Sequence, residues 1–162
     1  MYVVAKRTRR KRREHPEGVP VLGCRVHLVR EAEIPWAGSA VTGPQDVYDL
    51  VRPMIEDRDR EHLVALYLDI KNRPLGIHTV SIGCIASTQF EPRGVFTPAL
   101  LCNAAHVIIA HNHPSGDPTP SPDDIRCARS LRQTGELLGV TVLDFVIVGR
   151  GTFQSLRERG EI

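Results

Sequence analysis

Two kinds of apolar pattern follow each other along the chain from about residue 45 onwards. Apolar residues recur at helical spacing in one set, formed by Val47, Leu50, Val51 and Met54, and in a second set, formed by Ile125, Ala128, Leu131 and Leu138. Between and after them stand short apolar runs, which are typical of buried strands. These runs predict strands at 63–69, 75–82, 107–110 and 140–148.

Glycine, proline and acidic residues mark where these elements begin and end. Ser121-Pro122-Asp123-Asp124 is a strong helix start, with serine as N-cap and two acids in the first turn, and Gly139 is the expected C-cap. A turn at 72–74 joins the first two strands as a hairpin. Pro92 is expected to open another helix that contains Pro98 and runs towards Asn103, and 153–160 forms a short final element.

The predicted order is therefore α-β-β-α-β-α-β. This order favours an α/β or α+β fold in which helices flank a mixed sheet. Residues 40–162 are expected to form this compact domain. Residues 1–39 contain Pro16, Pro20 and Pro35 with several glycines, and are expected to form a flexible N-terminal arm.

The arm is strongly basic. It carries seven cations and no acid through residue 13: Lys6, Arg7, Arg9, Arg10, Lys11, Arg12 and Arg13. Residues 14–162 hold 14 basic and 19 acidic residues, a formal charge of −5. A dense block of like charge attracts polyanions, so DNA or RNA is a candidate partner. The alternative is a solvated tail without a specific partner, because sequence recognition needs contacts to base edges.

Other features of the composition exclude several classes of protein. The apolar runs fall far short of the roughly 18 residues that a membrane span requires. Met1–Ala5 is apolar and is followed by charge, the reverse of a signal peptide. The four cysteines form no Cys-x-x-Cys pair and are expected to be free thiols. These features together favour a cytoplasmic protein with no membrane partner.

The candidate chemistry lies at the end of the third predicted strand. His111 and His113 are two residues apart, so in an extended segment both imidazoles point to the same side. A loop stiffened by three prolines can bring Asp124 back to them. Two imidazoles and one carboxylate suit zinc, and three protein ligands leave room for a water, as in catalytic zinc sites. The histidine pair alone is weak evidence, since such residues are more often ordinary surface or core side chains.

The whole string resembles the JAMM/MPN+ metal motif, in which His-x-His is followed after seven residues by serine and after two more by aspartate. His111, His113, Ser121 and Asp124 match all four positions. More narrowly, the segment 113–121 resembles the RadC family, as do the segments around 61–69 and 143–149. The resemblance covers roughly residues 40–162 and leaves out the basic arm.

The resemblance implies a three-layer sandwich similar to that of cytidine deaminases. It also implies zinc-dependent cleavage of an amide or isopeptide bond in a peptide or protein substrate. Glu61 matches the family's general base, and Ser121 matches the residue that stabilises the oxyanion. Each has a plain alternative: Glu61 as a solvated acid in a charged run, and Ser121 as a helix cap only. The link of the RadC name to DNA repair leaves nucleic-acid association as an alternative function.

Two further positions stay open at this level. Relatives of RadC commonly read Pro-Arg-Glu where this chain has Pro92-Arg93-Gly94, so an acid is missing there. Glu91 is a weaker candidate than Glu61 to replace it. Asp117 is either a partner that orients an imidazole or a turn residue, and the Gly-Asp-Pro sequence favours the turn.

Overall fold

A computed structural model describes residues 23, 29, 31, 33–83 and 91–162. Residues Ile34–Ile162 form one compact unit. Its helices and strands, in chain order, are α1 (Pro44–Ile55), β1 (His62–Leu68), β2 (Pro74–Ile82), α2 (Arg93–Leu101), β3 (His106–Asn112), α3 (Pro122–Leu138), β4 (Thr141–Val148) and β5 (Phe153–Ser155). The predicted order of elements is confirmed, and the predicted final element begins with the short strand β5.

The strands form one mixed sheet in the order β2-β1-β3-β4-β5. The neighbours β1 and β2, β1 and β3, and β4 and β5 are antiparallel, whereas β3 and β4 run parallel. Parallel neighbours need a long crossover connection, and α3 supplies it here. The carboxyl end of β3 and the amino end of α3 therefore meet at the same edge of the sheet.

Helices cover both faces of the sheet. One core joins α1 to the face that includes Val64, Leu66 and Ile108. A second core joins α2 and α3 to the face that includes Leu63 and Ile109. The result is a three-layer α+β sandwich, as predicted. Because both faces are covered, β1 and β3 are buried along almost their whole length, which explains their continuous apolar runs.

The structure corrects several boundaries. β3 extends from His106 to Asn112, beyond the predicted 107–110, because β1 and β4 both pair with its polar end. The end of α1 needs no correction, because the helix contains its predicted apolar stripe and continues through Pro53 to Ile55. After β5 the chain forms turns, so the final element is only a three-residue strand. No helix in the described part of the chain is long and apolar enough to cross a membrane.

Candidate metal centre

The two histidines lie at the carboxyl end of β3, and the aspartate lies in the first turn of α3. His111 and His113 are separated by one residue and point towards α3, where the side chain of Asp124 is also buried. Sites in open sheets with parallel strands commonly lie at such carboxyl ends. The crossover topology thus brings together residues that are more than ten positions apart in the sequence.

The distances within this group fit one metal ion. Asp124 Oδ1 lies 3.3 Å from His111 Nε2, and Asp124 Oδ2 lies 3.3 Å from His113 Nε2. One ligand atom from each of the three residues lies within 4.8 Å of the others, and no other such group occurs among the described residues. Tetrahedral zinc, with bonds of about 2.0–2.1 Å, places its ligand atoms about 3.3–3.4 Å apart. The separations from Asp124 match that spacing.

His111 supplies an independent test of this fit. Its side chain is fully buried, and within the described residues neither ring nitrogen has a hydrogen-bond partner. The 3.3 Å approach of Asp124 Oδ1 to Nε2 lacks hydrogen-bond geometry. Leaving a buried polar group unsatisfied costs about 1–3 kcal/mol. A metal ion bound through a ring nitrogen would remove much of that cost, so the residues present fit a metal.

His113 is oriented by the loop that follows it. Its Nδ1 lies 2.7 Å from the backbone carbonyl oxygen of Asp117. A carbonyl only accepts, so Nδ1 carries the proton and Nε2 faces Asp124 as a free ligand atom. The Asp117 carboxylate instead accepts hydrogen bonds from the backbone N–H and the hydroxyl of Thr119. The turn interpretation of Asp117 is therefore confirmed for its side chain, while its backbone orients the imidazole.

The charges in this group favour a cation where the three side chains meet. Burial raises the pKa of Asp124, but His111, His113 and Ser121 outweigh it and hold that pKa well below its usual value. The Asp124 carboxylate, whose Oδ2 lies 3.3 Å from His113 Nε2, raises the pKa of His113, while burial opposes the rise. The carboxylate is therefore ionised at neutral pH and attracts a proton or a metal ion to the space between the imidazoles.

Glu61 lies at the same edge of the sheet. In the antiparallel pair of β1 and β3, Leu63 is opposite His111, so the residue before β1 comes beside His113. The negative charge of Glu61 contributes to the raised pKa of His113, as expected for a carboxylate near that ring. The structure thus brings Glu61 close to His113, one of the three candidate ligands.

Comparison with known proteins now decides the family. The family described as the RadC-like JAB domain matches residues 41–161. This chain belongs to that family. A UPF0758 protein of Shouchella clausii is 47% identical over 120 residues, which are 74% of this chain and 52% of that protein. UPF0758 proteins of Desulforamulus reducens and Methanosarcina mazei are 46% and 43% identical over 119 and 120 residues, with the same coverage. The chain spans about half the length of these relatives, whose name states no activity.

In this RadC-like JAB domain, Ser121 is the N-cap of α3 and forms a capping box with Asp124. The Ser121 hydroxyl and backbone N–H both donate to Asp124 Oδ2, at 2.7 Å each. The backbone N–H of Asp124 donates to Ser121 Oγ at 3.1 Å. Ser121 therefore holds the carboxylate in place, whereas its oxyanion role stays a prediction.

Replacing Ser121 with alanine is expected to lower the free energy of unfolding by about 1 kcal/mol through loss of the cap. Zinc affinity should fall roughly 10-fold, since one hydrogen bond that orients the Asp124 carboxylate is removed. Denaturant unfolding and zinc titration measure the two effects. Ser130→Ala, at an exposed position of the same helix, is the control and should change neither. An unchanged zinc affinity in Ser121→Ala would contradict the orienting role.

The loop that carries His113 is held against the turn between β4 and β5 of the RadC-like JAB domain. The backbone N–H of His113 donates to the carbonyl of Val148, and that of Arg150 donates to the carbonyl of Gly116, both at 2.9 Å. The loops touch so closely at Gly149 that a Cβ there would lie 2.4 Å from the Gly116 carbonyl oxygen. Only glycine allows this approach, which fixes the loop and the His113 ring.

Gly149→Ala is accordingly expected to push the 113–120 loop away and to destabilise the fold by about 1–3 kcal/mol. Displacement of the Asp117 carbonyl should also weaken zinc binding about 10-fold. Gly76→Ala is the matched control, because a Cβ at Gly76 meets nothing within 4 Å. Thermal unfolding and zinc titration of both variants measure the difference. Equal behaviour of the two variants would show that the loop contact does not support the site.

The sequence analysis missed Asn112, the residue between the two histidines. Its side chain is fully buried and makes hydrogen bonds to the segment that precedes β1. A signal was present: Asn112 is a polar amide at the end of a strand that is otherwise apolar and covered on both faces. Its neighbours in sequence drew the interpretation to the metal ligands instead.

The other candidates of the sequence analysis lie apart from these contacts. Glu91 is exposed and pairs with Arg93. Gly94 lies in the first turn of α2, which carries no acid. The seven cations of the arm lie outside the described residues.

The cysteines of the RadC-like JAB domain do not add a ligand. Cys102 and Cys127 are free thiols, as expected, while Cys24 and Cys84 lie outside the described residues. Cys127 follows Asp124 by one turn of α3. Burial, with the negative charge of Asp124 nearby, raises the pKa of Cys127 to about 12. This thiol therefore stays neutral and packs in the core between α3 and the sheet.

Proposed function

We propose that this RadC-like JAB domain is a zinc-dependent hydrolase that cleaves an amide bond in a peptide or isopeptide linkage. The observation that carries the proposal is the group of His111, His113 and Asp124, with one fully buried imidazole that has no hydrogen-bond partner among the described residues. Two imidazole nitrogens and one carboxylate form a donor set suited to zinc. Three protein ligands are the arrangement of catalytic zinc sites, whereas structural sites use four.

Neighbouring groups orient His113 and Asp124 for metal binding. His113 would bind through Nε2, since its Nδ1 is held by the Asp117 carbonyl. Asp124 would bind through its carboxylate, which Ser121 orients. When bound, zinc lowers the pKa of a coordinated water towards neutrality and polarises the carbonyl under attack. The charge of Asp124 partly offsets that of the metal ion in this buried place.

Glu61 is the residue that would move the proton. Its carboxylate accepts a proton from the attacking water as the new carbon–oxygen bond forms. It then donates that proton to the nitrogen of the leaving amine as the carbon–nitrogen bond breaks. A carboxylate beside His113, directly before β1, suits both steps because a carboxylate can accept a proton and pass it on to the leaving nitrogen.

Ser121 would assist at the oxygen of the substrate carbonyl. Its hydroxyl donates to Asp124 Oδ2 in this structure, and its backbone N–H donates to the same oxygen. The hydroxyl can therefore turn towards a developing oxyanion while the backbone N–H continues to hold the carboxylate. This second role adds a charge-stabilising donor without releasing Asp124.

The proposal is tested by comparing zinc-loaded and chelator-treated protein on two substrate sets. One set is a library of linear peptides, and the other contains peptides joined through a lysine isopeptide bond. Cleavage products are identified by mass spectrometry. We expect cleavage that chelation removes and that added zinc restores. A protein that binds no zinc, or a zinc-loaded protein that cleaves neither set beyond the chelated sample, would contradict the proposal.

Nucleic-acid binding by the arm stays a prediction from charge. Residues 6–13 carry seven cations, whereas residues 14–162 have a formal charge of −5, so only the arm favours a polyanion. Deleting residues 1–13 is expected to weaken binding to DNA or RNA and to flatten its dependence on salt concentration. Fluorescence anisotropy across a salt series measures both. Unchanged affinity in the deletion variant would remove the arm as the binding element.

A further inference from the structure

We propose that Asn112 is a positioning residue that holds Glu61 beside the His111–His113–Asp124 group. The inference rests on the proposed role of Glu61 in moving the proton. Asn112 touches neither the candidate ligands' donor atoms nor the site of attack. It acts through the backbone on either side of Glu61.

The hydrogen bonds of Asn112 enclose Glu61. Asn112 Oδ1 accepts from the backbone N–H of His62 at 2.7 Å. Its Nδ2 donates to the backbone carbonyl of Arg60 at 3.1 Å, with a weaker contact to Arg58 at 3.4 Å. The Arg60 carbonyl belongs to the peptide unit before Glu61, and the His62 N–H belongs to the unit after it. One side chain therefore restrains both peptide units that determine the backbone conformation of Glu61.

At its start the segment is tied to the end of α1, because Arg58 Nε donates to the backbone carbonyl of Met54 at 2.8 Å. The side chains of residues 57–60 are exposed, and the pair of Asp59 and Arg60 faces solvent. The Glu61 carbonyl accepts from the backbone N–H of Gly83 at 2.8 Å, which adds a restraint on the β2 side. On the β3 side, Asn112 supplies the anchor. Without it, the segment would lose its hydrogen bonds to the end of β3, and no apolar side chain in 57–60 would replace them.

Asparagine is suited to this position by its chemistry. The contacts require one acceptor and two donor hydrogens on a short, fully buried side chain. Aspartate lacks the donors and would bury a charge, and an aliphatic side chain would leave the N–H of His62 and the carbonyl of Arg60 unpaired. Strand alternation places the side chain of Asn112 on the opposite face from those of His111 and His113. Residues 111–113, at the end of β3 and directly after it, thus carry two candidate ligands and the anchor of the proposed proton acceptor.

The test uses cobalt(II) in place of zinc, because its visible absorption reports the surroundings of the bound metal. The absorption is recorded as a function of pH for the wild type, Glu61→Gln, Asn112→Ala and the double variant. The measured quantity is the pH at which the absorption of the cobalt-bound protein has changed by half, called the midpoint below. We expect Glu61→Gln to shift this midpoint by roughly 1 pH unit, since the substitution removes a charge near the metal. Asn112→Ala should shift it in the same direction by a smaller amount. In the Glu61→Gln background, Asn112→Ala should add less than about 0.2 pH unit.

The double variant separates positioning from a general effect on the ligands. If Asn112→Ala instead acts by distorting the histidines on either side, it shifts the midpoint equally in the Glu61→Gln background. That result would overturn the proposal. Ile108→Val is the control for lost stability, because it shortens a core side chain of the same strand on the α1 side. It should lower stability without moving the midpoint.

A second measurement needs no variant. In the zinc-bound wild type, the amide hydrogen of His62 should exchange as slowly as those in the middle of β3, since it donates to a fully buried oxygen. Rapid exchange there would overturn the inference even if Asn112→Ala fails to fold. Failure of the proposed function looks different: cobalt(II) does not bind, or Glu61→Gln leaves the midpoint unchanged. Normal cobalt binding with a shift in Glu61→Gln but none in Asn112→Ala rejects the positioning role alone.

Discussion

Asp124→Asn is expected to weaken zinc binding by at least about 100-fold, because a ligand that carries the only negative charge of the set becomes neutral. Asparagine keeps an oxygen that accepts from Ser121, so the start of α3 should remain folded. Asp124 is the member of the group that approaches both imidazoles, at 3.3 Å each. Metal content after dialysis and competition with a chromogenic chelator measure the effect.

The matched control is Asp123→Asn. Asp123 carries the same charge in the same helical turn but pairs with Arg126 instead of the histidines, so its replacement should leave zinc affinity unchanged. Thermal unfolding provides a second readout. Zinc at a thousand times the wild-type dissociation constant stabilises the folded wild type by about 4 kcal/mol, and the same zinc concentration should stabilise Asp124→Asn by about 1.4 kcal/mol or less. Equal zinc affinity in both variants would remove Asp124 from the metal centre.

Glu61→Gln is expected to keep zinc at the wild-type level and to lose about 100-fold to 10,000-fold in the rate of amide cleavage. The amide has nearly the same shape as the carboxylate but does not accept a proton at neutral pH. The measurement is the rate of hydrolysis of a peptide or isopeptide substrate found in the library experiment, at saturating and at limiting substrate. A loss concentrated in kcat is the signature of a group that acts in the chemical step.

Glu91→Gln is the control for this second prediction. The sequence left Glu91 as an alternative acid, and the structure shows its exposed carboxylate paired with Arg93. Its replacement should leave the rate within about two-fold of wild type, as for a surface substitution. A large loss in Glu91→Gln together with an active Glu61→Gln would reverse the assignment. It would also give the Pro92-Arg93-Gly94 segment a catalytic meaning.

The sequence was most informative where local chemistry decides the outcome. Ser121-Pro122-Asp123-Asp124 begins a helix in any setting, since the cap and the acids satisfy the first turn without help from the rest of the chain. The continuous apolar runs predicted buried strands, because a strand that is covered by helices on both faces has apolar side chains on both sides. The spacing of His111, His113 and Asp124 predicted a metal group, which the structure brings together.

What only the tertiary structure decided depends on backbone atoms that come from distant parts of the chain. Nothing in residues 111–112 alone favours a strand. These residues are extended because β1 and β4 pair with the polar end of β3. The orientation of His113 depends on the backbone carbonyl of Asp117. Every residue has such a carbonyl, so the sequence does not reveal which one the histidine contacts.

Asn112 shows the same division most clearly. Its partners are peptide groups of residues 58–62, some fifty positions away, and any residue types there would offer them. The sequence alone determined four things: the elements, their order, the family resemblance and the candidate ligand set. All four depend on side-chain type and spacing. The packing of the β1, β3 and β4 ends decided which backbone groups orient those ligands, because hydrogen bonds between distant segments exist only once the sheet has formed.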